Sequence, residues 1–302
     1  MLKTNIKKYL DKNNNVSIKD KLIIIIGATS GIGKKALEDI IYLGANVIIA
    51  ARNIEKANEI KKPLEEEYKT KIDVYELDLA NLESVKKFVT KIKRNKLDVY
   101  GIVFNAGEYG KYNTFTNEGY QLVMGVNYLS NYVLIDRVLP YLMTINHDVK
   151  LIITESNSYK RGKIDYNNFL FEKRKSDYKI YASSKLCLMK YSMYLANTLM
   201  DTNIKLLAIH PGVCKTKILD EIYSPWYLAP FRLIKLLCKS TDKGALAIPL
   251  ALSNDYRSGT LLGPKFLTFG YPKKNKIKKK AFTDIKMLLN YTKTILKKEE
   301  KA

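Results

Sequence analysis

Leu22-Ile-Ile-Ile-Ile-Gly27-Ala-Thr-Ser-Gly31-Ile-Gly33 decides how the chain is read. Leu22 to Ile26 is an unbroken apolar run of strand length, and glycines follow where a helical pattern begins near residue 32. Glycines so placed let the backbone turn sharply and approach a pyrophosphate, while the helix amino terminus offers amide donors and positive potential. Gly27, Thr29, Ser30, Gly31, Ile32 and Gly33 are therefore the candidate phosphate cradle. Further apolar runs lie at Val47 to Ala50, Ile72 to Leu77, Val99 to Phe104, Lys150 to Thr154 and Ile204 to Ile209, with a weaker one near Lys265 to Phe269. Amphipathic stretches near 32–43, 54–68, 82–95, 117–143 and 179–200 separate them. Strand and helix in alternation predict an α/β fold, a doubly wound, mostly parallel seven-stranded sheet (Rossmann fold) with helices on both faces. Ligands should then lie beyond the carboxyl ends of the strands.

The chain has 302 residues, 46% hydrophobic and 27% charged, which excludes disordered, collagen-like and coiled-coil chains. Its three cysteines, Cys187, Cys214 and Cys238, form neither a CxxC pair nor an even disulfide set, so a reducing compartment fits. The histidines and cysteines show no metal-ligand spacing. No run of 18 apolar residues occurs, and the first residues lack a secretory core, so the expected place is the cytoplasm or the cytosolic face of an intracellular membrane. The formal charge is +22, concentrated in the ends: residues 1–21 carry six Lys and two Asp, residues 273–302 eleven Lys and three acids. Only seven of the 52 basic residues are Arg, which disfavours a nucleic-acid partner. Peripheral contact between a basic tail and an anionic membrane is the better partner for that charge. The expected organisation is a basic extension over 1–20, one domain over 21–272, and a basic helix or tail over 273–302. Within the domain, 214–240 is apolar and interrupted by Pro225 and Pro230, which suits either a substrate lid or a helix pair on the core.

Tyr181-Ala-Ser-Ser-Lys185 places a phenol and an ammonium at i and i+4 on one helix face. A free phenol with a pKa of about 10 is a poor acid near neutrality, and a neighbouring cation favours the phenolate. Tyr181 is thus the candidate proton donor and Lys185 the group that acidifies it. Tyr159 to Lys163 has the same spacing, but Gly162 and a polar loop deny it a helix. At the end of the second strand, where a carboxylate would hold a ribose, stands Arg52, whose planar fork suits a 2′-phosphate and so NADP(H).

The GxxxGxG spacing and Tyr181-Ala-Ser-Ser-Lys185 resemble the short-chain dehydrogenase/reductase family. Ala51-Arg-Asn, the stretch from Glu118 to Asn127 and His210-Pro-Gly-Val213 resemble its retinol dehydrogenase-like and WW-domain-oxidoreductase-like branch. The resemblance implies an oxidoreductase that moves hydride between NADP(H) and a lipophilic carbonyl or alcohol. By resemblance, Asp78 and Leu79 meet the adenine, Asn105-Ala106-Gly107 forms the turn after the fourth strand, and Lys185 also holds the nicotinamide ribose. Ser156 binds the substrate oxygen, Asn127 holds a water leading to Lys185, and Pro211, Gly212, Val213 and Thr216 line the carboxamide. Relatives often form homo-oligomers. Ile26, Phe104 and Glu155 depart from the family pattern, Glu155 replacing the first of a usual serine pair. Two rival readings stay open: a cofactor-binding scaffold with negligible turnover, and a protein whose Lys-rich tail binds nucleic acid or a membrane surface.

Overall fold

The structure, a computed structural model, describes residues 16–212, 214, 241–266 and 269–299. Residues 1–15 of the basic extension, and all of the 214–240 segment except Cys214, lie outside the described residues, as do Val213 and Thr216. Eight strands form one sheet in the order β3-β2-β1-β4-β5-β6-β7-β8. They are β1 (Leu22–Ile26), β2 (Asn46–Ala51), β3 (Ile72–Glu76), β4 (Val99–Phe104), β5 (Val149–Thr154), β6 (Ile204–Ile209), β7 (Leu261–Phe266) and β8 (Phe269–Asn275). All pairings are parallel except β7 with β8. The order reverses between β1 and β4, which opens a crevice at their carboxyl ends.

The main helices are α1 (Gly31–Tyr42), α2 (Ile54–Tyr68), α3 (Leu82–Arg94), α4 (Ser130–Leu142), α5 (Asp177–Thr198), α6 (Thr241–Ala245), α7 (Ala247–Ser253) and α8 (Ile285–Glu299). A short turn, Leu122–Met124, and a π-helical turn, Gly125–Leu129, run directly into α4. Side chains alternate across a strand, so one strand feeds two cores. Ile24 and Ile26 of β1 join the core under α3, α4 and α5, while Ile23 and Ile25 join the core under α1, α2 and α7. The lysine-rich C-terminal helix α8 docks on the first of these through Leu288 and Leu289, and Thr292 meets the Tyr128 hydroxyl at 2.8 Å.

The sheet has one strand more than the seven expected, and β7 starts earlier than the sequence suggests. Gly263 and Pro264 lie inside β7, next to the sheet edge, where a missing backbone donor is tolerated. Its partner β8 is Gly-Tyr-Pro-Lys-Lys-Asn after Phe269, a polar sequence without alternation and with the Lys and Pro that blunt an edge. The lysine-rich segment thus begins inside the sheet.

Lys150 at the start of β5 is 3% exposed, and its Nζ donates to the Leu252 and Asn254 carbonyls at 2.6 and 2.9 Å. Burial draws its ammonium down to about 8. Its folded pKa lies below the unfolded one, so between pH 8 and the usual lysine range the unfolded chain binds more protons. Stability contributed by this site therefore rises with pH across that window, at up to about 1.4 kcal/mol per unit. Chemical denaturation of wild type and Lys150→Met from pH 7.5 to 10 should show this slope in the difference between them. Parallel pH curves would show that Lys150 is not buried as a charge.

Candidate active site

The carboxyl ends of β1, β4, β5 and β6 meet the start of α1 and the first turns of α5. Gly27 has φ +84°, and a Cβ there would stand 2.7 Å from Ala106 Cα. A Cβ on Gly33 would stand 2.1 Å from the Gly27 carbonyl oxygen and 2.5 Å from Asn105 Nδ2. Asn105 Nδ2 donates to that same Gly27 oxygen at 3.1 Å and so locks the loop after β4 to the loop after β1. Ser30 precedes α1 in extended conformation, and its side chain makes no cap bond to the helix. No acidic residue stands in the first turn of α1. A cradle that only glycine allows, at a helix start without carboxylates, fits a dinucleotide pyrophosphate. Arg52 is exposed just past β2, and Asn53 beside it caps α2 by accepting from the Lys56 amide at 2.7 Å. Asp78 uses one carboxylate oxygen to accept the Ala80 amide at 2.9 Å, and Leu79 is buried.

Tyr181 and Lys185, from α5, are 7% and 5% exposed. Ser156 lies beside the Tyr181 hydroxyl, and the Tyr181 ring meets that of Tyr109 edge to face at 5.3 Å. Ser156 Oγ also accepts the Ser158 amide at 3.2 Å, which fixes the hydroxyl at the start of a 3-10 turn, Asn157–Arg161. Lys185 Nζ donates to the Thr154 carbonyl at 2.8 Å. Asn127 is fully buried in the π-helical turn: its Oδ1 accepts the Glu108 amide at 2.8 Å, and its Nδ2 donates to the Glu108 carbonyl and to Ser184 Oγ at 2.9 and 3.1 Å. Asn127 thus fastens the loop after β4 against α5, beside the lysine.

The phenol departs from the sequence expectation in sign. Burial pushes Tyr181 up to about 12; Ser156 draws it down, and Glu155 and Tyr178 push it further up. Lys185 is itself drawn down by burial, opposed by Glu155. Lys185 Nζ is engaged by a backbone carbonyl, and burial rather than a neighbouring cation dominates the phenol.

His210 is buried and accepts the Gly212 amide on Nδ1 at 3.2 Å, with Nε2 against Asn157 Nδ2. It clamps the end of β6, with Pro211 and Gly212, to the turn after Ser156. His147 pairs with Asp98 at 2.8 Å at the opposite, amino end of the strands. Tyr159 accepts the Lys278 amide at 3.0 Å, and the 3-10 turn that carries it ends at Arg161, so no helix joins it to Lys163. Among the described residues no cluster of acids, His and Cys could hold a metal ion, and no helix is long and apolar enough to cross a membrane.

The family description "short chain dehydrogenase" matches residues 21–225. The chain belongs to the short-chain dehydrogenase family. Mouse "Retinol dehydrogenase 13" is 29% identical over 77% of this chain and 71% of its own length. Chicken "WW domain-containing oxidoreductase" is 30% identical over 74% of this chain and 56% of its own length. These relatives put this short-chain dehydrogenase in the retinol dehydrogenase-like branch. A solved structure from Mycobacterium paratuberculosis, described as a putative uncharacterized protein, superposes with a TM-score of 0.76 at 23% identity, covering 94% of this chain and 96% of that one. A Shigella flexneri short chain dehydrogenase complexed with NADP superposes at 0.65 with 22% identity, covering 82% and 98%. Both likenesses concern the fold.

This short-chain dehydrogenase is therefore an oxidoreductase of a family that uses a nicotinamide cofactor. The fold brings Asn127, Ser156, Tyr181 and Lys185 to one crevice beside the glycine cradle. Two contributors were not legible as such. Tyr109 packs on the phenol, and Glu155, read in the sequence only as a departure from the family pattern, lies fully buried beside the pair.

Proposed function

We propose that the chain is an NADP(H)-dependent reductase of lipophilic carbonyl compounds, or the reverse dehydrogenase of their alcohols. The observation that carries this reading is the buried placement of Tyr181 beside Ser156, with Lys185 one turn further along α5 and the glycine cradle adjacent. Bound at the cradle, NADPH supplies hydride to the carbonyl carbon. Ser156 and Tyr181 hold the carbonyl oxygen between two hydroxyls, and Tyr181 gives its proton to that oxygen as negative charge develops there. Lys185, Asn127 and bulk water return the proton. Gly27, Thr29, Ser30, Gly31, Ile32 and Gly33 would hold the pyrophosphate, Asp78 and Leu79 the adenine, and Asn105, Ala106, Gly107, Pro211 and Gly212 the nicotinamide half. A lipophilic substrate is favoured by the relatives, among them mouse "Retinol dehydrogenase 13" and human "Polyprenol dehydrogenase", and by the aromatic wall that Tyr109 gives the phenol. A substrate dissolved in lipid is met at a cytosolic membrane face, where the lysines of α8 would favour anionic headgroups.

Arg52 selects the phosphorylated cofactor. Arg52→Ala is expected to weaken NADPH about 10- to 100-fold and to leave NADH nearly unchanged, since one charge-assisted fork is lost. Titration of nucleotide fluorescence with wild type and Arg52→Ala measures this. Equal binding of NADH and NADPH by wild type would refute the NADP(H) assignment, and no turnover across a broad aldehyde, ketone and alcohol panel would refute the activity.

A further inference from the structure

Glu155 ends the apolar run of β5 and immediately precedes Ser156. It is 1% exposed, and its amide donates to the Ile209 carbonyl at 2.7 Å, which holds the residue at the β5–β6 seam. Its Oε1 accepts weakly from Ser192 Oγ of α5 at 3.4 Å, and its Oε2 is buried with no hydrogen-bond partner. Ser192 lies seven residues, two turns, beyond Lys185, and so shares a face of α5 with it. The carboxyl is therefore enclosed between β5 and the lysine-bearing face of α5, while Lys185 Nζ bonds the carbonyl of Thr154, the residue just before it. A buried carboxyl with one weak partner is expensive, and strand burial alone would select an apolar residue or serine there.

We propose that Glu155 is a positioning residue that, once ionised, offsets the charge of Lys185 at Tyr181, so that Tyr181 keeps its proton into alkaline pH. This rests on the reading of Tyr181 as proton donor. Burial raises the Glu155 carboxyl to about 8, opposed by Lys185 and Ser192. As pH rises, the carboxyl therefore ionises before the phenol does. From then on the phenol faces a carboxylate as well as an ammonium, and its own loss of a proton is deferred to more alkaline pH. Glu155 also raises Tyr181 and Tyr159, as a charge within reach of both would. The other titratable groups around the pair come from α5 and its neighbours. Tyr178 from α5 and Tyr109 from the loop after β4 face the phenol, Tyr159 is bonded to the Lys278 amide, and His210 from β6 is clamped to Gly212 and Asn157.

Glu155→Gln mimics the protonated carboxyl at every pH. In the full-length enzyme, the rising limb of the pH profile for oxidation of an accepted alcohol is expected to move down by about one unit. A merely structural loss would scale the rate at all pH values and leave the limb in place. An unmoved limb in a folded, active Glu155→Gln overturns the proposal. If that variant does not fold, Glu155→Ser, which puts back the residue usual in the family, carries the same expectation. A substrate-free measurement separates this from failure of the proposed function. The near-ultraviolet phenolate band assigned to Tyr181 by subtracting Tyr181→Phe should appear at lower pH in Glu155→Gln than in wild type, whether or not turnover is found. Coincident titrations overturn the proposal.

Discussion

Tyr181→Phe is expected to lower carbonyl reduction about 10²- to 10⁴-fold, the range over which a positioned general acid contributes, while NADPH still binds. The ring is what packing needs: it is 7% exposed and meets Tyr109 edge to face at 5.3 Å, and phenylalanine keeps both. The hydroxyl is what chemistry needs. Its neighbour is Ser156, and a carbonyl oxygen gaining charge between these two hydroxyls would take its proton from Tyr181. Lys185 is no substitute, because its ammonium is turned to the Thr154 carbonyl. Losing one buried hydroxyl bond costs stability only about 0.5–1.5 kcal/mol, so the variant should fold. Single-turnover measurement with NADPH and the best carbonyl of a panel separates the chemical step from binding. Reduction at a rate within threefold of wild type would remove Tyr181 from the mechanism.

The glycine loop and the six β-strands before it and after it were legible because each carries its own local signal. Five isoleucine-type residues followed by three spaced glycines admit few other readings, and the i, i+4 spacing of Tyr181 and Lys185 states its geometry outright. What could not be read depends on side chains from distant elements. Glu155 is unremarkable as a letter after a strand, and its weight comes from burial against Ser192, 37 positions away. The direction of the Tyr181 shift was misread for the same reason. Spacing places an ammonium one turn from the phenol, but it does not reveal that both are buried or that the ammonium bonds Thr154. Strand β8 was missed because one edge of an outermost strand has no neighbour, and the Lys and Pro that blunt that edge replace the alternation of a strand. The docking of α8, by contrast, follows from its amphipathic spacing once Leu288 and Leu289 are seen to be buried.

Gly33→Ala is expected to remove NADPH binding and to destabilise the fold together, although it adds one methyl group. That methyl would fall 2.1 Å from the Gly27 oxygen and 2.5 Å from Asn105 Nδ2. Neither atom can yield cheaply. The Gly27 oxygen is backbone at φ +84°, in a turn whose own Cβ position is filled by Ala106, and the Asn105 amide is bonded to that oxygen. The remaining way out is for α1 to lift off the end of β1. Ala36, Leu37 and Ile40 on its inner face are wholly buried, so lifting opens voids beneath the helix. Overpacking of this kind costs about 1–3 kcal/mol, or several degrees in Tm for a chain of this size. The same displacement carries the amide donors at the start of α1 away from the pyrophosphate, and a shift near 1 Å is enough to lose about 100-fold in a positioned interaction. Gly119→Ala is the contrast: its φ is +78°, yet nothing lies within 4 Å of the added carbon, so only local backbone strain is introduced. Thermal unfolding with and without NADPH reads both quantities. Gly33→Ala should melt lower and gain no stabilisation from nucleotide, whereas Gly119→Ala should keep the nucleotide shift. A Gly33→Ala protein with wild-type Tm and a full NADPH shift would mean that the pyrophosphate is not held where these glycines bring β1 and α1 together.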